Sequence, residues 1–205
     1  MSDIDRVFDA HMALGLALDY PGGDWEKVVE AIGEADLVGN VRAHVDRFLE
    51  VATAWGPQRL REHYVRVFDN KRRCSLYVTY FDMGDTRRRG AALTTCADLY
   101  RAVGFAPPDH ELPDYLPLLL QLSARSRDVL VSEVLGAMLP GIEVVRRALE
   151  EAEASPYVHL LDAVRATLPS LTEDQRERVR TLIGQGPPSE LVGLSDSPLP
   201  LFAKG

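Results

Sequence analysis

Glu111-Leu112-Pro113-Asp114-Tyr115-Leu116-Pro117-Leu118-Leu119-Leu120-Gln121-Leu122 is a run apolar on nearly every side, with two prolines and two acids crowded at its mouth. A helix that is apolar all round belongs in the middle of a protein, not on its face. Prolines fit its first turn, where backbone N–H groups have no intrahelical partner. A carboxylate there also meets the positive end of the helix dipole. The stretch predicts a buried central helix. Glu111 and Asp114 are expected where that helix surfaces beside a groove, or Asp114 simply helps to cap it.

Outward from this run, nearly every segment carries a 3.6-residue apolar period. On the N-terminal side the stripes are Ile4, Val7, Phe8 and Met12, then Trp25, Val28, Val29 and Ile32, with Pro21-Gly22-Gly23 between them. Asp24 is placed to cap the second. Val41, Val45, Phe48, Leu49 and Ala52 follow, ended by Gly56-Pro57, and then Leu60, Tyr64, Val67 and Phe68. Leu76 to Phe81 has the propensity of a short strand, but a lone strand has no sheet to join. It reads as helix or ordered loop. Asp85 is placed to cap a helix carrying Leu93, Cys96, Ala97, Tyr100 and Val103, which Gly104 ends.

On the C-terminal side, Leu130, Val131, Val134, Leu135 and Met138 form a stripe broken at Pro140-Gly141. Ile142, Val145 and Leu149 continue it, with Glu150, Glu151 and Glu153 outside. Val158, Leu161, Val164 and Leu168 make the last clear core helix. Thr172 to Gln175 has a capping-box pattern that opens a polar helix reaching Gly184. The expectation is one all-α domain, a helical bundle over residues 1–184, then a Pro-containing C-terminal tail over residues 185–205.

Bulk properties narrow the function. The chain has 205 residues, 46% hydrophobic and 26% charged, which is the composition of a soluble globular domain. A net charge of −8 argues against nucleic acid and fits a cationic partner or simple solubility. Cys74 and Cys96 form neither a disulfide framework nor a zinc pattern. The polar N-terminus is no export signal, and no apolar run approaches the ~20 residues that span a bilayer. A cytoplasmic protein without stable membrane association is expected.

Recognisable catalytic machinery is missing. The five histidines are scattered, with no Glu-x-x-His pair, no His-Glu-x-x-His motif and no glycine-rich phosphate loop. His110 among Asp109, Glu111 and Asp114 reads as a solvated acidic loop, not a metal site. Cys74 beside Arg72 and Arg73 could have an acidified thiol, but it reads instead as a half-buried structural cysteine. Arg87-Arg88-Arg89 lies in a helix's first turn, where the dipole disfavours cations. Arg72, Arg73, Arg87 and Arg88 are therefore candidate anion contacts. No catalytic residue, metal or cofactor is assigned.

Several stretches in order carry a family resemblance: Leu18-Asp19-Tyr20-Pro21, Tyr64-Val65-Arg66-Val67-Phe68-Asp69, Ser75-Leu76-Tyr77, Arg87-Arg88-Arg89-Gly90 and Glu111 to Pro117. Over roughly residues 10 to 165 the chain resembles the nitrate reductase delta-subunit family. These NarJ/NarW-type assembly chaperones are related to the TorD/DmsD redox-enzyme maturation proteins. Tyr115 stands where the family usually has histidine, and Gln121 where glutamate is common.

The resemblance implies a TorD-like all-α fold and a chaperone absent from the finished enzyme. Its client would be the catalytic subunit of a respiratory nitrate reductase. The chaperone would hold that subunit while molybdenum cofactor and an iron–sulfur cluster are inserted, before membrane docking. Recognition would involve the client's N-terminal segment, a remnant of a twin-arginine signal, and the cofactor-insertion machinery is a further expected partner. On this reading Tyr64, Phe68, Asp69, Glu111, Asp114, Tyr115 and Leu118 form the wall and rim of a peptide groove. Spacing alone makes Tyr64 and Phe68 core residues. The arginines would contact a guanine-nucleotide phosphate of the cofactor. A helical adaptor that stays in a redox complex is the alternative, and an enzyme using the Asp109–Asp114 loop with a divalent metal is a third. Monomer and dimer both remain open.

Overall fold

Leu116 opens the helix on which the bundle is built. The computed structural model describes residues 2–80, 87–151 and 155–174, without the side chains of Arg87 and Arg88. Among these residues there are eight α-helices and no strand. They are α1 (Asp3–Leu18), α2 (Trp25–Glu34), α3 (Gly39–Tyr64), α4 (Arg87–Ala102), α5 (Leu116–Ser126), α6 (Val129–Ala137), α7 (Leu139–Glu151) and α8 (Tyr157–Thr167). The all-α bundle expected from the apolar periods is the fold observed. The expected helix to Gly184 lies mostly outside the described residues, as do the tail, the Asp85 cap and Glu153.

α5 buries Leu116, Pro117, Leu119, Leu120 and Leu122, and α1 is its main neighbour. Each fully buried leucine contributes about 1.5–3 kcal/mol. The two helices come close because α1 has Gly15 at the contact. A Cβ there would lie 2.8 Å from the Pro117 carbonyl and 2.9 Å from Gln121 Cγ. Beside this contact, His11 spans the bundle. Its Nδ1 lies 2.8 Å from Ser123 Oγ and its Nε2 3.0 Å from Thr167 Oγ1, tying α1 to α5 and α8.

The start of α1 is a full capping box, with Ser2 Oγ accepting from the Asp5 N–H and Asp5 from the Ser2 N–H, both at 3.2 Å. Asp24 does precede α2, but its carboxylate caps nothing and pairs with Lys27 at 3.1 Å. Gly56 has φ +73° inside α3, where the sequence reads two helices. That left-handed conformation suits glycine, and Pro57 restarts the helix with no N–H to lose. The result is a kink rather than a separation. After Tyr64 the chain widens into a π-turn, Val65–Asp69, which buries both Val67 and Phe68.

Residues 70–79 are an ordered loop, one of the two readings that the sequence left open. A 3₁₀ turn covers Arg72–Cys74, and a single antiparallel bridge joins Tyr77 to Tyr115. Leu116 N donates to Leu76 O at 2.9 Å and Val78 N to Asp114 O at 3.1 Å, so the loop is pinned across the mouth of α5. Gly104, at φ +85°, ends α4 as expected, with Phe105 N bonded back to Tyr100 O at 2.9 Å. Pro140-Gly141 falls in the first turn of α7, just after the break at Met138.

Tyr157, the first residue of α8, is fully buried at the aromatic centre of the core. Phe68 and Phe48 lie 5.0 and 5.2 Å from its ring, Tyr64 at 5.6 Å, and His63 stacks on it at 6.1 Å. α3, the π-turn and α8 are held together there. Among the described residues no helix is long and apolar enough to cross a membrane.

Candidate functional site

The end of α3, the 70–79 loop and the mouth of α5 meet through tyrosines. Tyr64 donates its phenol proton to the Leu18 carbonyl at 3.2 Å, and its oxygen lies 2.6 Å from that of Tyr115. Tyr115 also reaches Asp19, donating at 3.3 Å. Tyr20 stands edge-on to Tyr64 at 5.5 Å, Phe68 lies 4.6 Å from Tyr64, and Tyr77 lies 5.4 Å from Tyr115. Tyr77 donates to Glu111 at 2.8 Å.

Three carboxylates surround this cluster. Burial first pushes the Tyr64 phenol well above its ordinary range, and Asp19 and Asp69 add to that. Tyr77 is raised first by burial, then by Glu111, with Asp114 and Asp69 adding less. Tyr115 is raised the same way, by burial first, with Tyr64 and Asp19 contributing. These phenols are neutral hydrogen-bonding groups at physiological pH. Tyr64, Phe68 and Tyr115 are buried, but Tyr20 is 49% exposed and Leu112 38%. Asp69 is exposed, and Asp19, Tyr77, Glu111 and Leu118 are partly so. What reaches the surface here is Tyr20, Leu112 and part of Tyr77, with Asp19, Asp69 and Glu111 beside them.

Asp114 is not among these surface acids, and it does not cap α5. It is fully buried, and its Oδ2 accepts from Thr79 Oγ1 at 2.6 Å and from the Thr79 N–H at 3.3 Å. The turn from Leu112 to Tyr115 directs the Asp114 carbonyl to Val78 and its side chain to Thr79, away from solvent. Burial raises the carboxyl above its usual range, against the Thr79 bonds and the charge of Arg89. Asp114 anchors the loop. Asp19, Tyr20, Tyr77 and Thr79 were not among the site residues expected from sequence, although three of them lie inside the stretches that carry the resemblance.

Arg72 and Arg73 are exposed beside a shallow pocket of about 360 Å³ that Lys71, Cys74 and Glu151 also line. The Arg87 and Arg88 side chains lie outside the described residues. Cys74 is buried, and burial raises its thiol despite the nearby Lys71 charge. Burial also pushes Cys96 up to about 12. Cys74 is therefore a structural cysteine, as the sequence reading preferred, and not an acidified thiol. The acidic loop does not converge either: Asp109 and His110 face solvent, Glu111 holds Tyr77 and the Leu112 N–H, and Asp114 points inward.

With this geometry in place, comparison with known proteins is decisive about kinship. The family model described as nitrate reductase delta subunit matches residues 34–158. The probable nitrate reductase molybdenum cofactor assembly chaperone NarJ of Bacillus subtilis is 32% identical over 178 residues, covering 83% of this chain and 94% of that protein. The chain belongs to the nitrate reductase delta-subunit family. NarJ of Escherichia coli K12, named a nitrate reductase molybdenum cofactor assembly chaperone, is 29% identical over 150 residues, 71% of this chain and 63% of its own. The nitrate reductase-like protein NarX of Mycobacterium tuberculosis H37Rv is 35% identical over 130 residues, 63% of this chain but 19% of NarX.

The stretches that carry the delta-subunit resemblance converge in space. Leu18-Asp19-Tyr20 meets Tyr64, Tyr77 meets Tyr115 and Glu111, and Arg89 acts on Asp114. Tyr115 directs its hydrogen-bonding tip at Tyr64 and Asp19.

Proposed function

We propose that the chain is an assembly chaperone that binds the catalytic subunit of a respiratory nitrate reductase and supports molybdenum-cofactor and iron–sulfur cluster insertion before membrane docking. It acts in the cytoplasm and is not itself a catalyst. The client's N-terminal segment, a cationic amphipathic helix, docks on the tyrosine cluster. The observation that carries this reading is the grouping of Asp19, Asp69 and Glu111 around a partly exposed aromatic cluster. Such a surface takes the apolar side of a helix while carboxylates at the rim meet its cations. A net charge of −8 would speed the encounter more than it tightens the complex. Arg72 and Arg73 would meet an anion such as a cofactor phosphate, with Arg87 and Arg88 as further candidates.

The test is calorimetric titration with a synthetic peptide from the N-terminus of the same organism's nitrate reductase catalytic subunit. Neutralising the rim in Asp19→Asn/Asp69→Asn/Glu111→Gln should weaken binding at least tenfold while the melting curve holds. Equal binding of a scrambled peptide, or of the triple variant, would remove this surface as the site.

The match to NarX favours a second reading. There, sequence like this chain forms one part of a much longer protein, as a permanent adaptor in a redox complex would.

A further inference from the structure

Away from the tyrosine cluster, in the first half of α3, His44 lies against His159 of α8. Their ring centroids are 6.3 Å apart and the planes 27° from parallel. Asp162 follows His159 by about one helical turn and so shares its face. One ligand atom from each of the three lies within 4.8 Å of the other two. All three side chains are half-buried, which leaves a route for an ion. His44 Nδ1 is sealed from solvent and has no hydrogen-bond partner. A buried ring nitrogen left unpaired is costly and calls for a partner.

We propose that His44, His159 and Asp162 form a binding site for a divalent transition metal of the zinc class, clasping α3 to α8. Two imidazoles and a carboxylate are a donor set that zinc accepts, with a position left for water. Bond lengths near 2.0–2.2 Å place tetrahedral ligand atoms about 3.3 Å apart, so from separations within 4.8 Å the three need close by at most about 1.5 Å. Side-chain rotation at half-buried positions supplies this.

The cations around the group are accounted for. Arg146 and Arg165 stand 3.9 and 3.8 Å from the Asp162 carboxylate. Arg146 also holds Glu143 at 3.0 Å and Glu150 at 3.3 Å, so it stays paired when Asp162 turns to a metal. Burial first, then His44 and Arg47, lower the His159 pKa, with Asp162 opposing.

The experiment uses the tag-free protein, titrated with zinc by calorimetry and with cobalt(II) by visible absorption. His44→Asn, His159→Asn, His159→Gln and Asp162→Asn run alongside, with His110→Asn as control for the acidic loop. One equivalent should bind wild type and His110→Asn and raise their Tm. The site variants should bind at least tenfold more weakly, without the rise. No binding by folded wild-type protein overturns the proposal. So does binding that survives in the His44 and His159 variants, or a thiolate charge-transfer band implicating Cys74 or Cys96.

Discussion

The phenol oxygens of Tyr64 and Tyr115 lie 2.6 Å apart, joining the end of α3 to the mouth of α5 inside the core. Tyr64 gives its proton to the buried Leu18 carbonyl, and Tyr115 shares its single proton between Tyr64 and the partly exposed Asp19 carboxylate, which water can serve in its place. Tyr115→Phe should therefore cost about 1 kcal/mol, one buried hydrogen bond. Tyr64→Phe should cost more, about 1–2 kcal/mol, because the Leu18 carbonyl also loses its donor. Urea unfolding of both variants checks the order, and a larger loss in Tyr115→Phe would contradict it.

Asp114 separates charge from hydrogen bonding. Its carboxyl pKa is raised in the folded chain, so the unfolded chain ionises first, and stability falls as pH rises from the usual carboxylate value through the folded one. Asp114→Asn keeps an oxygen for Thr79 and should remove this slope, with stability at pH 7 within about 1 kcal/mol of wild type. Asp114→Ala strands the Thr79 donors and should cost about 1–3 kcal/mol. Unfolding at several pH values distinguishes the two.

His11 should make the bundle acid-sensitive. Burial lowers its pKa from 6.5 to about 4. The neutral ring carries no penalty above pH 6.5. As pH falls toward 4 the unfolded chain takes up a proton first, and roughly 3 kcal/mol of stability is lost. His159, with the same sign but more exposure, adds a smaller share. His11→Gln should be less stable at pH 7 yet flatter between pH 6.5 and 4. An equally steep loss in that variant would assign the slope elsewhere.

Gly15 and Gly33 should respond oppositely to alanine. At Gly15 the added Cβ meets the Pro117 carbonyl at 2.8 Å, so α1 and α5 must separate, at about 1–3 kcal/mol. At Gly33, inside α2, nothing lies within 4 Å, and helix propensity should yield about 0.5–1 kcal/mol of stabilisation. Thermal melts of the two variants report both signs.

The bundle was legible because apolar periodicity reports which face of each helix is buried: Leu119, Leu120, Val45, Val134 and Leu161 all lie inside. Periodicity does not report which faces meet. Asp114 read as a rim residue because its sequence neighbourhood looks like a helix mouth, while its partner Thr79 sits in a loop with no period. His44 and His159 looked scattered for the same reason, since only the packing of α3 on α8 brings them together. Gly56-Pro57 marks a break in the sequence but not that the helix resumes as a kink, and the π-turn after Tyr64 preserves the apolar stripe with no mark of its own.

As proposed, this chain acts on a nitrate reductase catalytic subunit during assembly and then leaves. The direct measurement is to express the chain with that subunit and quantify it in two fractions, cofactor-free catalytic subunit and mature membrane enzyme. The account expects a complex with the first and none of the chain in the second. Stoichiometric retention in the mature enzyme, or no complex with the cofactor-free subunit, would contradict it.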